Sequence, residues 1–210
     1  MAFMLHLLRA GDLFVDVGAN VGSYVVLAAH QAGAQVVAFE PDAAALEVLA
    51  ANCALNQVAS RVRIVPRALS AKQQTLWFST GQDTVNHVLD GPAPDAVEVD
   101  AVSLDSSMGD EAPLLIKIDV EGYEPEVMLG AEATLAKPDL RAIEIETVTP
   151  EIAEQLSRHG FVRRWYDPFK RSLSQTPVHA ANNALYVRDE SFIMERLRSA
   201  PAIDVFGLAV

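Results

Sequence analysis

The sequence predicts an α/β fold in one globular domain of 210 residues. Segments rich in β-branched residues alternate along the chain with segments of helical periodicity, which is typical of α/β proteins. Half of the residues are hydrophobic, which is enough for the core of one domain of this length. The alternation opens with residues 13–33, whose pattern indicates a buried strand, a tight turn and a helix that stops at a glycine.

The domain divides into three parts on the same evidence. Residues 1–10 are expected to form a leading helix packed on the sheet, residues 11–188 the core, and residues 189–210 a C-terminal helix and tail. The leading segment is apolar but lacks the basic start and the cleavage site of a signal peptide. The apolar tail is interpreted as packing on the domain, and a homodimer contact is the alternative.

Charge and cysteine content narrow the class of partner. The net charge is −12, so neither nucleic acid nor an anionic membrane is expected to bind. No apolar run is long enough to span a bilayer. The single cysteine, Cys53, cannot form an internal disulfide, which favours a reducing compartment and a cytoplasmic location.

The turn after the first strand carries the first candidate site. Asp16 ends the strand, and Gly18, Asn20 and Gly22 follow in a G-x-x-x-G spacing. A dinucleotide site requires G-x-G-x-x-G, because the pyrophosphate needs close backbone N–H groups. A carboxylate at this position disfavours a pyrophosphate and suits a cationic ligand such as S-adenosylmethionine. The alternative is an ordinary strand–helix turn.

The second strand, residues 35–39, also ends in an acid. Glu40, followed by Pro41, is placed where an acidic residue can accept hydrogen bonds from the ribose hydroxyls of an adenosine-bearing cofactor. Acids at the ends of two consecutive strands favour a cofactor site over two solvated side chains. A helix over 42–56 and a third strand over 61–66 follow, and then Ala68 and Leu69, which we expect to wall the adenine.

Residues 73–100 do not fit the strand–helix repeat. We predict two strands, 75–79 and 96–100, joined by a loop, as an inserted ribbon bordering the site. Phe78 is interpreted as a packing residue. Asn86 and His87 in the loop are candidate contacts for a substrate.

A third acidic strand end lies in residues 114–124. Lys117 stands inside an otherwise apolar strand, where burial is costly unless a carboxylate pairs with it. Asp119 lies two positions on and therefore shares its face of the strand. Two roles remain open for this pair, a structural ion pair or direct participation in the chemistry. Glu121 and a helix through Leu129 and Leu135 follow.

The remaining elements complete the alternation. Residues 141–146 form a strand with Glu144 and Glu146 on one face, either lining the acceptor pocket or pairing with Lys117. A helix to Arg158, a strand over 161–166, a short strand or loop over 170–174 and a last strand over 182–187 follow.

Three segments together resemble the FkbM family of S-adenosylmethionine-dependent methyltransferases. They are residues 16–22 (DVGANVG), 38–41 (AFEP) and 116–124 (IKIDVEGYE). Residues 183–187 are similar to the closing motif of that family, and the resemblance extends over residues 11–188. It implies a Rossmann-like class I methyltransferase fold with a seven-stranded, mostly parallel sheet, an antiparallel last strand and helices on both faces.

The resemblance also implies methyl transfer to a hydroxyl of a sugar or natural-product small molecule. It places Asp16, Gly18, Asn20 and Glu40 at the cofactor, and Asp119 and Glu121 near the methyl-transfer centre. With the residue-based argument, the predicted cofactor site comprises Asp16, Gly18, Asn20, Gly22, Glu40, Pro41, Ala68, Leu69 and Asp119.

The predicted catalytic residues are Asp119, Glu121 and Lys117, with one of the two acids as the base that activates the acceptor hydroxyl. No metal is expected, because the acids lack the histidine-rich spacing of a metal site. Two other functions stay open on sequence grounds. One is a nicotinamide-dependent oxidoreductase, and the other is a domain that binds a cofactor or a partner without turnover.

Overall fold

The computed structural model describes residues 1–79, 87–89, 91–94, 96–178, 183–202, 204–205 and 208–209. The strands are β1 (Leu13–Val17), β2 (Gln35–Phe39), β3 (Val62–Val65), β4 (Ala68–Leu69), β5 (Gln74–Ser79), β6 (Val88–Leu89), β7 (Ala96–Val102), β8 (Leu115–Ile118), β9 (Ala142–Ile145), β10 (Val162–Asp167), β11 (Ser172–Ser174), β12 (Ala184–Val187), β13 (Asp204–Val205) and β14 (Leu208–Ala209). The α-helices are α1 (Ala2–Leu7), α2 (Ser23–Gln31), α3 (Ala43–Leu55), α4 (Leu104–Met108), α5 (Glu124–Leu129), α6 (Glu132–Ala136), α7 (Pro150–Arg158) and α8 (Glu190–Arg198), with a 3₁₀ turn at Ala59–Arg61.

The main sheet has eight strands in the order β11-β10-β12-β9-β8-β1-β2-β3. The five strands from β9 to β3 are mutually parallel, whereas β12 runs antiparallel to both β9 and β10. The α/β class and the antiparallel last strand are therefore confirmed. Strand order reverses at β1, which lies between β8 and β2. In open α/β sheets this reversal opens a crevice at the carboxyl ends of the strands.

The predicted count of seven strands is wrong by one. The chain turns back after β10, and β11 pairs with β10 as an antiparallel edge strand. The carboxylate of Asp167 fixes this turn by accepting hydrogen bonds from the backbone N–H groups of Phe169 and Lys170, both at 3.0 Å. A three-residue strand is too short to show a clear alternation in sequence, and its edge position supplies no second neighbour.

Helices cover both faces of the sheet, as predicted. Phe14 of β1 packs in one apolar layer with α1, α2, α3 and α8, while its neighbours Val15 and Val17 pack in the other with α4 to α7. This division follows the two-residue period of the strand. Cys53 is a buried side chain of α3 in the first layer. The leading segment packs through α1, which buries Phe3, Met4 and Leu7.

The helix predicted through Leu129 and Leu135 is broken into α5 and α6. The break falls at Gly130, where an added Cβ would lie 2.1 Å from the carbonyl oxygen of Ser70. The chain of β4 thus approaches the helix so closely that no side chain fits, and the backbone turns there instead. The apolar periodicity of the sequence continues across this point, so the prediction ran one helix through Gly130.

The inserted ribbon forms a second sheet of four strands in the order β4-β7-β5-β6. Strands β5 and β7 pair antiparallel over six residue pairs, which confirms the predicted ribbon, and β6 in the connection between them pairs with β5. Phe78 and Val99 are buried in its own small core. In the part of the chain that the structure describes, no helix is both long and apolar enough to cross a bilayer.

Candidate active site

The turn after β1 is tied to the end of β2 by backbone hydrogen bonds. The N–H groups of Gly18 and Ala19 both donate to the carbonyl oxygen of Phe39 at 3.0 Å. The N–H of Asn20 donates to Glu40 Oε2 at 2.8 Å, and Asn20 has a positive φ of 49°. The turn after β1 therefore holds the carboxylate of Glu40 at the end of β2 in place.

Glu40 is held in place by backbone groups on both sides. Its side chain is 6% exposed, and Oε1 accepts from the N–H of Asp42 at 2.9 Å. Burial raises the pKa of Glu40, and the hydrogen bonds from the backbone of Asp42 and Asn20 oppose that rise. Each carboxylate oxygen offers about two lone-pair sites, so Glu40 retains acceptor capacity for two ligand hydroxyls.

Gly18 allows the first turn to contact the end of β8 directly. It has a φ of +78°, and a Cβ built on it would lie 1.9 Å from the carbonyl oxygen of Asp119. The N–H of Asp119 donates a hydrogen bond to the carbonyl oxygen of Val17 at 3.0 Å. Gly22, also predicted as a cofactor residue, caps α2 with a φ of +87°, packs against Leu49, and is not in the cavity lining.

Lys117 is the central cation of the site. Its ammonium lies 2.9 Å from Asp119 Oδ2, 3.6 Å from Asp16 Oδ1 and 4.7 Å from the centre of the Tyr24 ring. The predicted pairing of Lys117 with Asp119 is confirmed. Asp16 is a cross-strand neighbour of Lys117 in the β1–β8 register, a relationship that sequence spacing cannot show.

The pKa values of this ion cluster reflect burial and charge together. Burial raises the pKa of Asp16 to about 6, although the charge of Lys117 opposes the rise. Burial alone would lower the pKa of Lys117, but the charges of Asp16 and Asp119 outweigh it and the pKa is raised. Lys117, only 3% exposed, is thus held in its charged form.

Glu146 joins Asp119 and Glu121 at the cavity wall. One carboxylate oxygen from each of the three lies within 4.8 Å of the others. Glu146 follows β9, and its N–H donates to Ile118 of β8 at 3.0 Å, which brings it level with Asp119. A hydrogen bond with Asp119, followed by burial and neighbouring negative charges, raises the pKa of Glu146 to about 7. Glu144 instead lies beside Lys117 in the strand register.

These groups surround a cavity of about 420 Å³, a volume typical of small-molecule sites. Its lining includes all but one of the predicted cofactor residues, namely Asp16, Gly18, Asn20, Glu40, Pro41, Ala68, Leu69 and Asp119, as well as the predicted catalytic Lys117 and Glu121. Six of the lining residues are acidic and two are basic: Asp16, Glu40, Asp42, Asp119, Glu121 and Glu146 against Arg67 and Lys117. These acidic side chains attract a cation and accept hydrogen bonds from hydroxyl groups, whereas they would repel a pyrophosphate.

Sequence reasoning missed several cavity residues. Tyr24 lines the cavity from α2, and Phe78 and Val88 line it from the inserted sheet, so Phe78 both packs and faces the site. Sequence spacing could not show that the Lys117 ammonium lies against the ring of Tyr24. His87 is absent from the lining and hydrogen bonds with Ser79, while Asn86 lies outside the described residues.

Comparison with known proteins identifies the family. The profile of the FkbM methyltransferase domain matches residues 16–171. A 31-O-demethyl-FK506 methyltransferase from Streptomyces tacrolimicus is 29% identical over 194 residues, which cover 73% of this chain and 74% of the relative.

Solved methyltransferases share the fold at low sequence identity. A precorrin-6Y C5,15-methyltransferase from Geobacter metallireducens GS-15 has a TM-score of 0.50 at 15% identity, covering 89% of this chain and 83% of its own. A ribosomal protein L11 methylase from Lactobacillus delbrueckii subsp. bulgaricus has a TM-score of 0.51 at 14% identity, covering 88% and 74%. The family match decides against a nicotinamide-dependent oxidoreductase. This chain belongs to the FkbM methyltransferase family and is an S-adenosylmethionine-dependent methyltransferase.

Proposed function

We propose that the protein transfers a methyl group from S-adenosylmethionine to a hydroxyl of a small molecule, either a sugar or another natural product. The observation that carries this proposal is the set of three carboxylates, Asp119, Glu121 and Glu146, on the wall of the acidic cavity. An alcohol is a weak nucleophile and benefits from a base at the point of attack. The name of the Streptomyces relative, which describes methylation of an O-demethyl compound, supports the same acceptor chemistry.

The cofactor residues have separate tasks in this proposal. Glu40 accepts hydrogen bonds from the ribose hydroxyls, because its carboxylate is already oriented by two backbone N–H groups. Gly18 and Asn20 form the turn against which the nucleoside lies, with Pro41, Ala68 and Leu69 as apolar walls. The carboxylates of Asp16 and Asp119 contribute negative charge at the cation. When bound, S-adenosylmethionine supplies an electrophilic methyl group on a sulfonium.

The chain contributes to catalysis in two ways. Holding acceptor and donor in line can supply roughly 7–11 kcal/mol of the barrier, because the reaction becomes effectively unimolecular. A carboxylate that takes the hydroxyl proton adds a factor of about 10²–10⁴. Lys117 holds Asp119 in a fixed position at the cavity wall, since its ammonium lies between the carboxylates of Asp119 and Asp16.

The same proposal covers partners and location. The acidic balance of the chain, with net charge −12, supports a small-molecule acceptor rather than nucleic acid or an anionic membrane surface. We also propose that the protein is located in the cytoplasm and forms a homodimer. The location rests on the single buried cysteine, Cys53, and the homodimer on exposed apolar side chains, Leu55 and Phe169 among them.

A product assay tests this function. Purified protein is incubated with S-adenosylmethionine and a panel of hydroxylated sugars and macrocycles, and S-adenosylhomocysteine is measured by mass spectrometry. We expect acceptor-dependent product in the wild-type protein and in Glu47→Ala, whose side chain is exposed on α3, and a strong loss in Glu40→Ala. Methylation of amine or carbon acceptors but of no hydroxyl would contradict the proposed acceptor class. Product formation on none of the acceptors would favour a binding domain without turnover.

A further inference from the structure

The three carboxylates at the cavity wall differ in their partners. Asp119 is bound by the ammonium of Lys117 at 2.9 Å, so its carboxylate is already engaged in an ion pair. Glu121 is exposed and lies in a turn where its own φ is 50° and that of Gly122 is 91°. Glu146 has no ion pair in the described part of the chain, and its neighbours are acids.

The position of Glu146 is set by the sheet rather than by a turn. Glu146 directly follows β9, and its N–H donates to the carbonyl oxygen of Ile118, the last residue of β8. Glu146 therefore lies beside Asp119, which follows β8. The titratable groups that face it are the carboxylates of Asp119, Glu121 and Glu124, and the same cavity wall carries Lys117, Arg67 and Tyr123. Lys117 is directed to Asp119, with which Glu146 shares a hydrogen bond.

We propose that Glu146 is the general base that removes the proton from the acceptor hydroxyl, and that Asp119 and Lys117 are positioning residues for it. This inference rests on the proposed hydroxyl methylation. In the step, the O–H bond of the acceptor breaks and its proton passes to a carboxylate oxygen of Glu146. The acceptor oxygen forms a bond to the methyl carbon, and the carbon–sulfur bond breaks with its electron pair remaining on sulfur. The proton then leaves Glu146 to water.

The surroundings of Glu146 suit this role. A general base works best when its pKa lies near the operating pH, because it is then both deprotonated and basic enough to draw the proton. The hydrogen bond with Asp119 and the negative charges around it raise the pKa of Glu146 to about 7. Removing the charge of Asp119 would therefore make Glu146 a weaker base.

A titration that needs no acceptor tests the first part of this inference. The side-chain carboxyl signals of ¹³C-labelled protein are followed by NMR from pH 4 to pH 9. We expect the carboxyl signal that is absent in Glu146→Gln to titrate near pH 7 in the wild-type protein, above the ordinary value of 4.5, and at lower pH in Asp119→Asn. Glu151→Gln, on an exposed position of α7, should leave that signal in place. A Glu146 carboxyl that titrates near its ordinary pH would overturn the proposal.

Turnover with an accepted hydroxyl substrate tests the second part. Glu146→Gln should lower kcat by about 10²–10⁴ and remove the acidic limb of the kcat/KM profile, while affinity for S-adenosylmethionine stays within about twofold. Asp119→Asn should shift that limb to lower pH, a change that a purely structural role would not produce. If Glu121→Gln loses the acidic limb of the kcat/KM profile while Glu146→Gln keeps full turnover, Glu121 is the general base instead of Glu146. If no hydroxyl is methylated, the proposed function fails, and the NMR titration still decides the state of Glu146.

Discussion

Asp16 of β1 and Lys117 of β8 are direct cross-strand partners, with Lys117 Nζ 3.6 Å from Asp16 Oδ1. Both side chains are almost completely buried, at 1% and 3% exposure. Lys117 also pairs with Asp119 at the cavity wall, so one ammonium neutralises two carboxylates that line the cavity. The stability of the fold and the geometry of the site are therefore coupled through this residue.

Replacing Lys117 by methionine should strongly destabilise the protein, because it leaves Asp16 as a buried charge without its counterion. Breaking a buried ion pair in this way typically costs about 3–5 kcal/mol. The free energy of unfolding from urea titration measures the loss. Lys72→Met, at an exposed position after β4, is the control and should change it by no more than about 0.5 kcal/mol. Equal stability of the two variants would show that the pair does not hold the sheet.

Gly18→Ala should abolish S-adenosylmethionine binding and lower stability through a steric clash with the Asp119 carbonyl. Gly160 is a matched control, since it has a similar φ of +80° but nothing within 4 Å of an added Cβ. Gly160→Ala should cost only the conformational strain of about 1–2 kcal/mol. Unfolding midpoints and calorimetric affinities separate the two effects. If Gly18→Ala behaves like Gly160→Ala, the close approach of the first turn to β8 is not required.

Glu40→Ala should weaken S-adenosylmethionine binding by at least about 10- to 100-fold, the effect of losing one charged hydrogen bond of about 1.5–3 kcal/mol. Isothermal titration calorimetry measures the affinity, and the exposed Glu47→Ala on α3 should retain it. Glu40→Gln keeps the shape but loses the charge and should lie between the two. Unchanged affinity in Glu40→Ala would make Glu40 only a structural acceptor for the N–H groups of Asn20 and Asp42.

Stability should depend on pH through Glu146. Its pKa is about 7 in the folded protein, against 4.5 as its ordinary value, so the folded state binds the proton more tightly than the unfolded state. The stabilising contribution is complete below pH 4.5 and is lost as pH rises through 7. Wild type should therefore lose stability relative to Glu146→Gln between pH 5 and pH 8 in urea titrations. A difference that is constant over this range would contradict the shift.

Chelation should leave activity intact. Asp119, Glu121 and Glu146 are close enough to approach one cation, yet a hydrogen bond links Glu146 to Asp119 and Lys117 occupies the other side of Asp119. We therefore expect the rate of S-adenosylhomocysteine formation to be the same with and without EDTA. A loss of rate that Mg²⁺ restores would assign the three carboxylates to metal binding, and would remove Glu146 from the role of base.

Much of the fold could be predicted because its signals are local. The first strand, its turn and α2 follow from a run of apolar residues, two glycines and helical spacing within twenty residues. Asp42 was predicted at the start of a helix, and its side chain accepts hydrogen bonds from the N–H groups of Ala44 and Ala45. For residues 170–174 the sequence left strand and loop open, because three residues show no clear alternation, and the break at Gly130 depends on Ser70, which is distant in sequence.

By itself, the sequence determined the alternating α/β elements, the acids Asp16, Glu40 and Asp119 that end or follow their strands, and the pairing of Lys117 with Asp119. These features depend on periodicity and on spacings of a few residues. Only the tertiary structure placed Asp16 beside Lys117 and Glu146 beside Asp119. The reason is physical: strand order and register decide which strand ends become neighbours, and they are set by packing across the whole sheet rather than by any local pattern.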